Sequence, residues 1–139
     1  MWGPLRRVTE VDSPRVVGPI TLSHGINEFF SIVIPPVIPL LVADLEITYG
    51  EAGFLLTVFF VMYLLFQLPG GVVADRIGKT LLMVAGLFGM AVGIFLAGFA
   101  PGYELLIVAQ AIAGISGSTF HPAGLSIISD VEITETEGK

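Results

Sequence analysis

Thr21, His24, Glu28 and Ser31 follow one another at intervals of three, four and three residues inside a long apolar stretch, so they share one face of a helix. Asn27 flanks that stripe. A second set, Gln110, Gly114, Gly117, His121 and Gly124, repeats at intervals of four, three, four and three, with Ser118 beside it. An ionisable group deep in hydrocarbon is costly, so it faces a cavity or a partner rather than lipid. A carboxyl such as Glu28 can there load and release a proton, and two imidazoles can do the same near neutral pH. These residues therefore read as a substrate and proton pathway: His24, Asn27, Glu28, Gln110 and His121. The competing reading makes them hydrogen-bonding residues that hold helices together. A metal site is not expected, because the His-Glu-x-x-His spacing of helical zinc sites is absent. With no cysteine, thiol chemistry is excluded as well.

The elements that position these residues are apolar helices. The chain has 139 residues, mean hydropathy +0.89 and only 13% charged residues, about half of what a soluble domain carries. Such a chain has too little polar surface to meet water on all sides and reads as an all-α integral membrane bundle. Four runs are long enough to cross, near residues 17–43, 51–74, 80–100 and 103–129. They make one transmembrane region, 17–129, between an N-terminal tail, 1–16, and an acidic tail, 130–139, expected to fray. Pro35, Pro36 and Pro39 should bend the first helix in its second half. Gly86, Gly89, Gly93 and Gly98 in the third run, and Gly114, Gly117 and Gly124 in the fourth, suit close helix packing. No cleavable signal peptide is expected, and no cofactor.

All six basic residues fall on one side of this four-helix count: Arg6, Arg7 and Arg15, then Arg76 and Lys79, then Lys139. The turns near 44–52 and 101–104 have none. That bias places both termini in the cytoplasm and the chain as a multi-pass protein of the plasma membrane. A net charge of −6 argues against nucleic acid as a partner. The expected surroundings are the lipid bilayer, a small-molecule substrate and protons.

Between the second and third runs lies Gly71-Val72-Val73-Ala74-Asp75-Arg76-Ile77-Gly78-Lys79. Its Gly-x-x-x-Asp-Arg-x-Gly-Lys pattern closely resembles the signature loop between the second and third helices of major facilitator superfamily transporters. Thr80 departs from the pattern, where a second basic residue is common. Ser23-His24-Gly25 to Glu28, Pro35-Pro36-x-x-Pro39 and Phe120-His121-Pro122 resemble the fosmidomycin-resistance branch of that superfamily, exporters that exchange drug for protons.

The resemblance implies efflux of a small organic molecule rather than enzymatic activity. It implies a cytoplasmic gate at Gly71, Asp75, Arg76, Gly78 and Lys79, with Arg76 paired to Asp130. Asp75 would offer its charge to a helix N-terminus elsewhere, where the dipole is positive. Gly71 and Gly78 would permit close approach and a tight turn. A family transporter has two six-helix halves with substrate between them. Four helices correspond to part of the N-terminal half, so the expectation is a truncated form that acts with a missing C-terminal portion or a second copy. Two other readings stay open: a small four-helix multidrug carrier working as a dimer, and a non-transporting membrane remnant or interaction protein.

Overall fold

The computed structural model describes residues 14–137, with side chains described for 17–129. Six helices follow in order: α1 (Pro14–Ser31), α2 (Ile34–Leu45), α3 (Tyr49–Ile77), α4 (Lys79–Gly98), α5 (Tyr103–Gly117) and α6 (Phe120–Glu137). They form four membrane spans, Val17–Leu45, Tyr49–Ile77, Lys79–Gly98 and Tyr103–Ser129. The protein is an all-α membrane bundle, and the described residues contain no strand.

The first and fourth spans are each built from two helices, and proline accounts for both breaks. Pro35 and Pro36 lack the N–H groups that Ser31 and Ile32 carbonyls would need, so α1 stops and α2 starts anew. In the first turn of α2 those missing donors cost nothing. The expected bend within the second half of one helix is thus a full interruption at Ile32–Val33. In the fourth span Pro122 deprives Ser118 of its donor, and the chain breaks at Ser118–Thr119. There the Ser118 hydroxyl donates to Ile115 O (2.6 Å) and the Thr119 hydroxyl to Ser116 O (2.9 Å). Both bonds reach back three residues. The first supplies Ile115 O, whose usual donor, the Thr119 N–H, bonds Ser116 O instead (3.4 Å), and the second joins that N–H on Ser116 O.

At the other end of the sequence, α6 runs to Glu137 where a frayed acidic tail was expected. Residues 130–137 contain neither Gly nor Pro, so nothing stops the helix once it is under way. α3 also exceeds its expected bounds. Its 29 residues make about 43 Å of helix, longer than a hydrocarbon core of about 30 Å, so it tilts or projects. Its start is secured by a capping box: Thr48 Oγ1 accepts from Glu51 N, and Glu51 Oε2 accepts from Thr48 N. Tyr103 at the start of α5 donates its hydroxyl to Glu51 O (3.0 Å), pinning the two helix ends together.

The α5–α6 span lies between α3 and α4, and is the most buried of the four. Three layers of side chains run down the bundle around it. Leu55, Ala97, Leu106 and Ala109 form the first; Phe59, Met90 and Ala113 the second; Met83, Phe120 and Ala123 the third. Glycines set the spacing of this core. A Cβ at Gly93 would stand 2.7 Å from Ala113 N, and one at Gly114 would run into the Phe59 carbonyl. Leu22, Leu64, Leu68, Phe88 and Phe95 remain exposed on the outside of the bundle.

Gly114→Ala therefore forces backbones apart and is expected to cost about 1–3 kcal/mol, the usual range for overpacking. Gly53→Ala meets nothing within 4 Å and is expected to be neutral or slightly stabilising. Thermal unfolding of both variants in detergent checks the contrast.

Candidate functional site

The site residues on α1 and α6 meet where the fourth span is broken. His121 is the second residue of α6, two positions past the interruption at Ser118–Thr119. Its Nε2 lies 3.9 Å from Glu28 Oε1 on α1, a distance that makes an ion pair when the imidazole is protonated. Both stay accessible, with side chains 38% and 50% exposed, so the pair opens onto a face of the bundle rather than its core. The His24 ring stacks at a tilt against Phe120 (5.5 Å) and faces His121 at 5.8 Å. The Tyr63 ring on α3 stands edge-to-face with the His121 ring at 6.0 Å. First, second and fourth spans thus all contribute to this cluster.

Asn27 does not share the open face. It is fully buried, and its side chain reaches three other helices. Nδ2 donates to Gly117 O (3.3 Å) on α5 and toward Met90 Sδ (3.6 Å) on α4. Oδ1 accepts from the Tyr63 hydroxyl (3.1 Å) on α3. Ser31, expected on the stripe, is half-buried and donates to the Asn27 carbonyl (2.9 Å). Gln110 is also buried, at 1% exposure, and its Nε2 has no hydrogen-bond partner among the described residues. It precedes His121 by eleven residues, roughly 16 Å along a helical path, and lies away from the cluster. Among the described residues, no three His, Asp or Glu side chains come together as metal ligands.

Tyr63 and Met90 were not picked out by spacing. Tyr63 had a signal: a phenol in an apolar helix needs a partner for its hydroxyl. Met90 had none, because a thioether acceptor looks like any other core side chain.

The expected gate loop is mostly helix. Gly71 to Ile77, including Asp75 and Arg76, continue α3, and α4 begins at Lys79. Gly78 alone makes the reversal, with φ 98° and ψ 133°, donating its N–H to Ala74 O (3.0 Å). No residue before Gly78 interrupts the helix, so the motif keeps its helical hydrogen bonds until the one glycine that can turn. Arg76 sits in the last turn of α3, where its charge suits the helix dipole; Asp75 beside it is exposed and opposes that dipole. Gly71 is not needed for close approach inside this chain, since a Cβ there would meet Pro122 at an ordinary 3.8 Å. The Asp130 side chain, expected opposite Arg76, lies outside the described side chains.

The Major Facilitator Superfamily model matches residues 20–132, which include the cluster and the helical turn at Gly78. The chain belongs to that superfamily. Within the family it is similar to the quinolone resistance protein NorA of Staphylococcus aureus strain MRSA252, 28% identical over 104 residues. It is likewise similar to multidrug resistance protein 1 of Bacillus subtilis strain 168, 27% identical over 104 residues. Each match takes in 75% of this chain and 27% of the relative, so the matched region spans about a quarter of the curated relatives' length. No solved structure matches the chain.

Gly78→Ala puts a side chain at a backbone conformation that glycine alone adopts easily and is expected to cost about 1–3 kcal/mol. Gly71→Ala is expected to be tolerated. Thermal unfolding of the two variants, side by side, separates the two glycines of the motif.

Proposed function

We propose that this chain forms part of the path by which a family transporter moves a small organic molecule out of the cell in exchange for protons. The observation that carries this reading is the Glu28–His121 contact of 3.9 Å, bridging the first and fourth spans on an open face. A carboxyl within a membrane span is not stable against lipid, so this face is one wall of a polar cavity. One proton can be held by either group. With His121 protonated the two charges attract; with Glu28 protonated the pair is neutral and the contact weakens. Substrate or proton arriving at Glu28 would then bias how α1 sits against α6. His24, 5.8 Å from His121, offers a second imidazole on the same route.

The names of the relatives support efflux, one being a quinolone resistance protein and another a multidrug resistance protein. The His24 to Glu28, proline and Phe120-His121-Pro122 segments point more narrowly to the fosmidomycin-resistance type. The chain would lie in the plasma membrane with both termini in the cytoplasm, as its basic residues favour. Asp75, Arg76, Gly78 and Lys79 would then form a cytoplasmic gate. Asp75, poorly placed for the dipole of its own helix, gains by facing the N-terminus of another. The other wall of the path would come from a further portion of the transporter or from a second copy.

Efflux of a panel of antibacterial compounds, including a quinolone and fosmidomycin, is the direct test in inverted vesicles carrying this chain with and without the remainder of a family transporter. Glu28→Gln is expected to lower pH-driven efflux by about tenfold or more, equivalent to ~1.4 kcal/mol. Undiminished efflux that still collapses on adding a protonophore would remove Glu28 from the proton route. For the gate, reversing the charges at Arg76 and Asp130 together is expected to restore what either single reversal loses. A double variant no better than the singles would rule that pair out.

A further inference from the structure

Asn27 is the one side chain described here that bonds to the second, third and fourth spans at once. Its neighbours in sequence and space give those bonds a consequence. Glu28 is the next residue on α1, so fixing the Asn27 side chain fixes both the rotation and the height of α1 that set where Glu28 points. Gly117 O is the last carbonyl of α5, one turn before His121 and next to the break in the fourth span. The last carbonyls of a helix lack intrahelical donors, and Asn27 Nδ2 supplies one at 3.3 Å. From the third direction, the Tyr63 hydroxyl bonds Asn27 Oδ1 while its ring borders His121.

We infer that Asn27 is the positioning residue of the Glu28–His121 pair, holding the helix that carries the acid in register with the broken helix that carries the imidazole. The inference rests on the proposed proton-carrying pair, and it moves Asn27 from the path itself to the frame behind it. At 3.9 Å the pair lies beyond ordinary hydrogen-bond reach, so small displacements of α1 decide whether the contact exists. A fully buried amide with its donors and acceptor engaged allows few such displacements. The titratable groups around His121 are His24 and Glu28 from α1 and Tyr63 from α3. The charged residues of α4 and α5, Lys79 and Glu104, belong to their first turns.

The experiment is NMR of the whole chain in nanodiscs, with labelled histidine, followed across the pH range in which imidazoles titrate. Wild type is compared with Glu28→Gln, Asn27→Ala, Tyr63→Phe and Leu106→Val. Glu28→Gln is expected to change the pH dependence of the His121 resonances. Asn27→Ala and Tyr63→Phe should change it in the same sense and to a smaller extent, although neither removes a charge. Leu106→Val serves as the control: it disturbs the buried core away from Asn27 and is expected to leave that pH dependence alone. Should Asn27→Ala fail to fold, Tyr63→Phe removes a single hydroxyl and still decides the matter. If Glu28→Gln alters the curve and neither Asn27→Ala nor Tyr63→Phe does, Asn27 is a structural residue only and the inference is overturned. If Glu28→Gln itself has no effect, the pair is not coupled, and the proton reading fails together with the inference.

Discussion

Backbone contact between α4 and α5 is the constraint around which the bundle is arranged. Lipid tails are as apolar as leucine, so burying apolar area gives these helices little reason to associate. What remains is close packing, and it needs surfaces without side chains. Gly86, Gly89 and Gly93 offer one such surface, against Ala109, Ala113 and Ser116 on the other helix. Gly114 and Gly117 offer a second, toward Phe59 and Tyr63 of α3. The fourth span can approach two neighbours at once because it is smooth on two sides, and this is why it ends up innermost.

The polar cluster sits at a point where the close-packed pattern fails. Proline starts both failures by withholding a donor, one in the first span and one in the fourth. Serine, threonine and asparagine side chains make good what the backbone loses: Ser118 and Thr119 locally, and Asn27 from across the bundle. Broken spans in transporters commonly border binding sites, since irregular backbone is tolerated only where it meets protein or a water-filled cavity. The Glu28–His121 pair stands beside such a break. Its accessibility and the burial of Asn27 are two sides of one helix, and they assign different tasks to adjacent residues.

The turn between α3 and α4 shows how little chain a hairpin needs. Two long helices are joined by one glycine, and the charges of Asp75, Arg76 and Lys79 are carried on helix ends rather than on a flexible loop. That rigidity ties any movement of these charges to movement of whole helices, which is the property a gate requires.

The sequence by itself determined the class, the number of spans and the family. Those follow from hydropathy, length and a motif whose residues are contiguous, so no three-dimensional information was needed. Helical spacing also singled out Glu28 and His121, although not that they meet. Tertiary structure decided the rest. It buried Asn27, expected beside the stripe as part of the path, because periodicity reports an angle around one helix and not which neighbours stand at that angle. It left Gln110 apart from the cluster, since a shared face says nothing about distance along the span. It recruited Tyr63 and Met90, whose roles depend on helices remote in sequence. It also turned the expected bend of the first span into a break, broke the fourth span at Ser118–Thr119, and reduced an expected loop to a single glycine. In each case local propensity allowed several outcomes, and packing against other helices selected one.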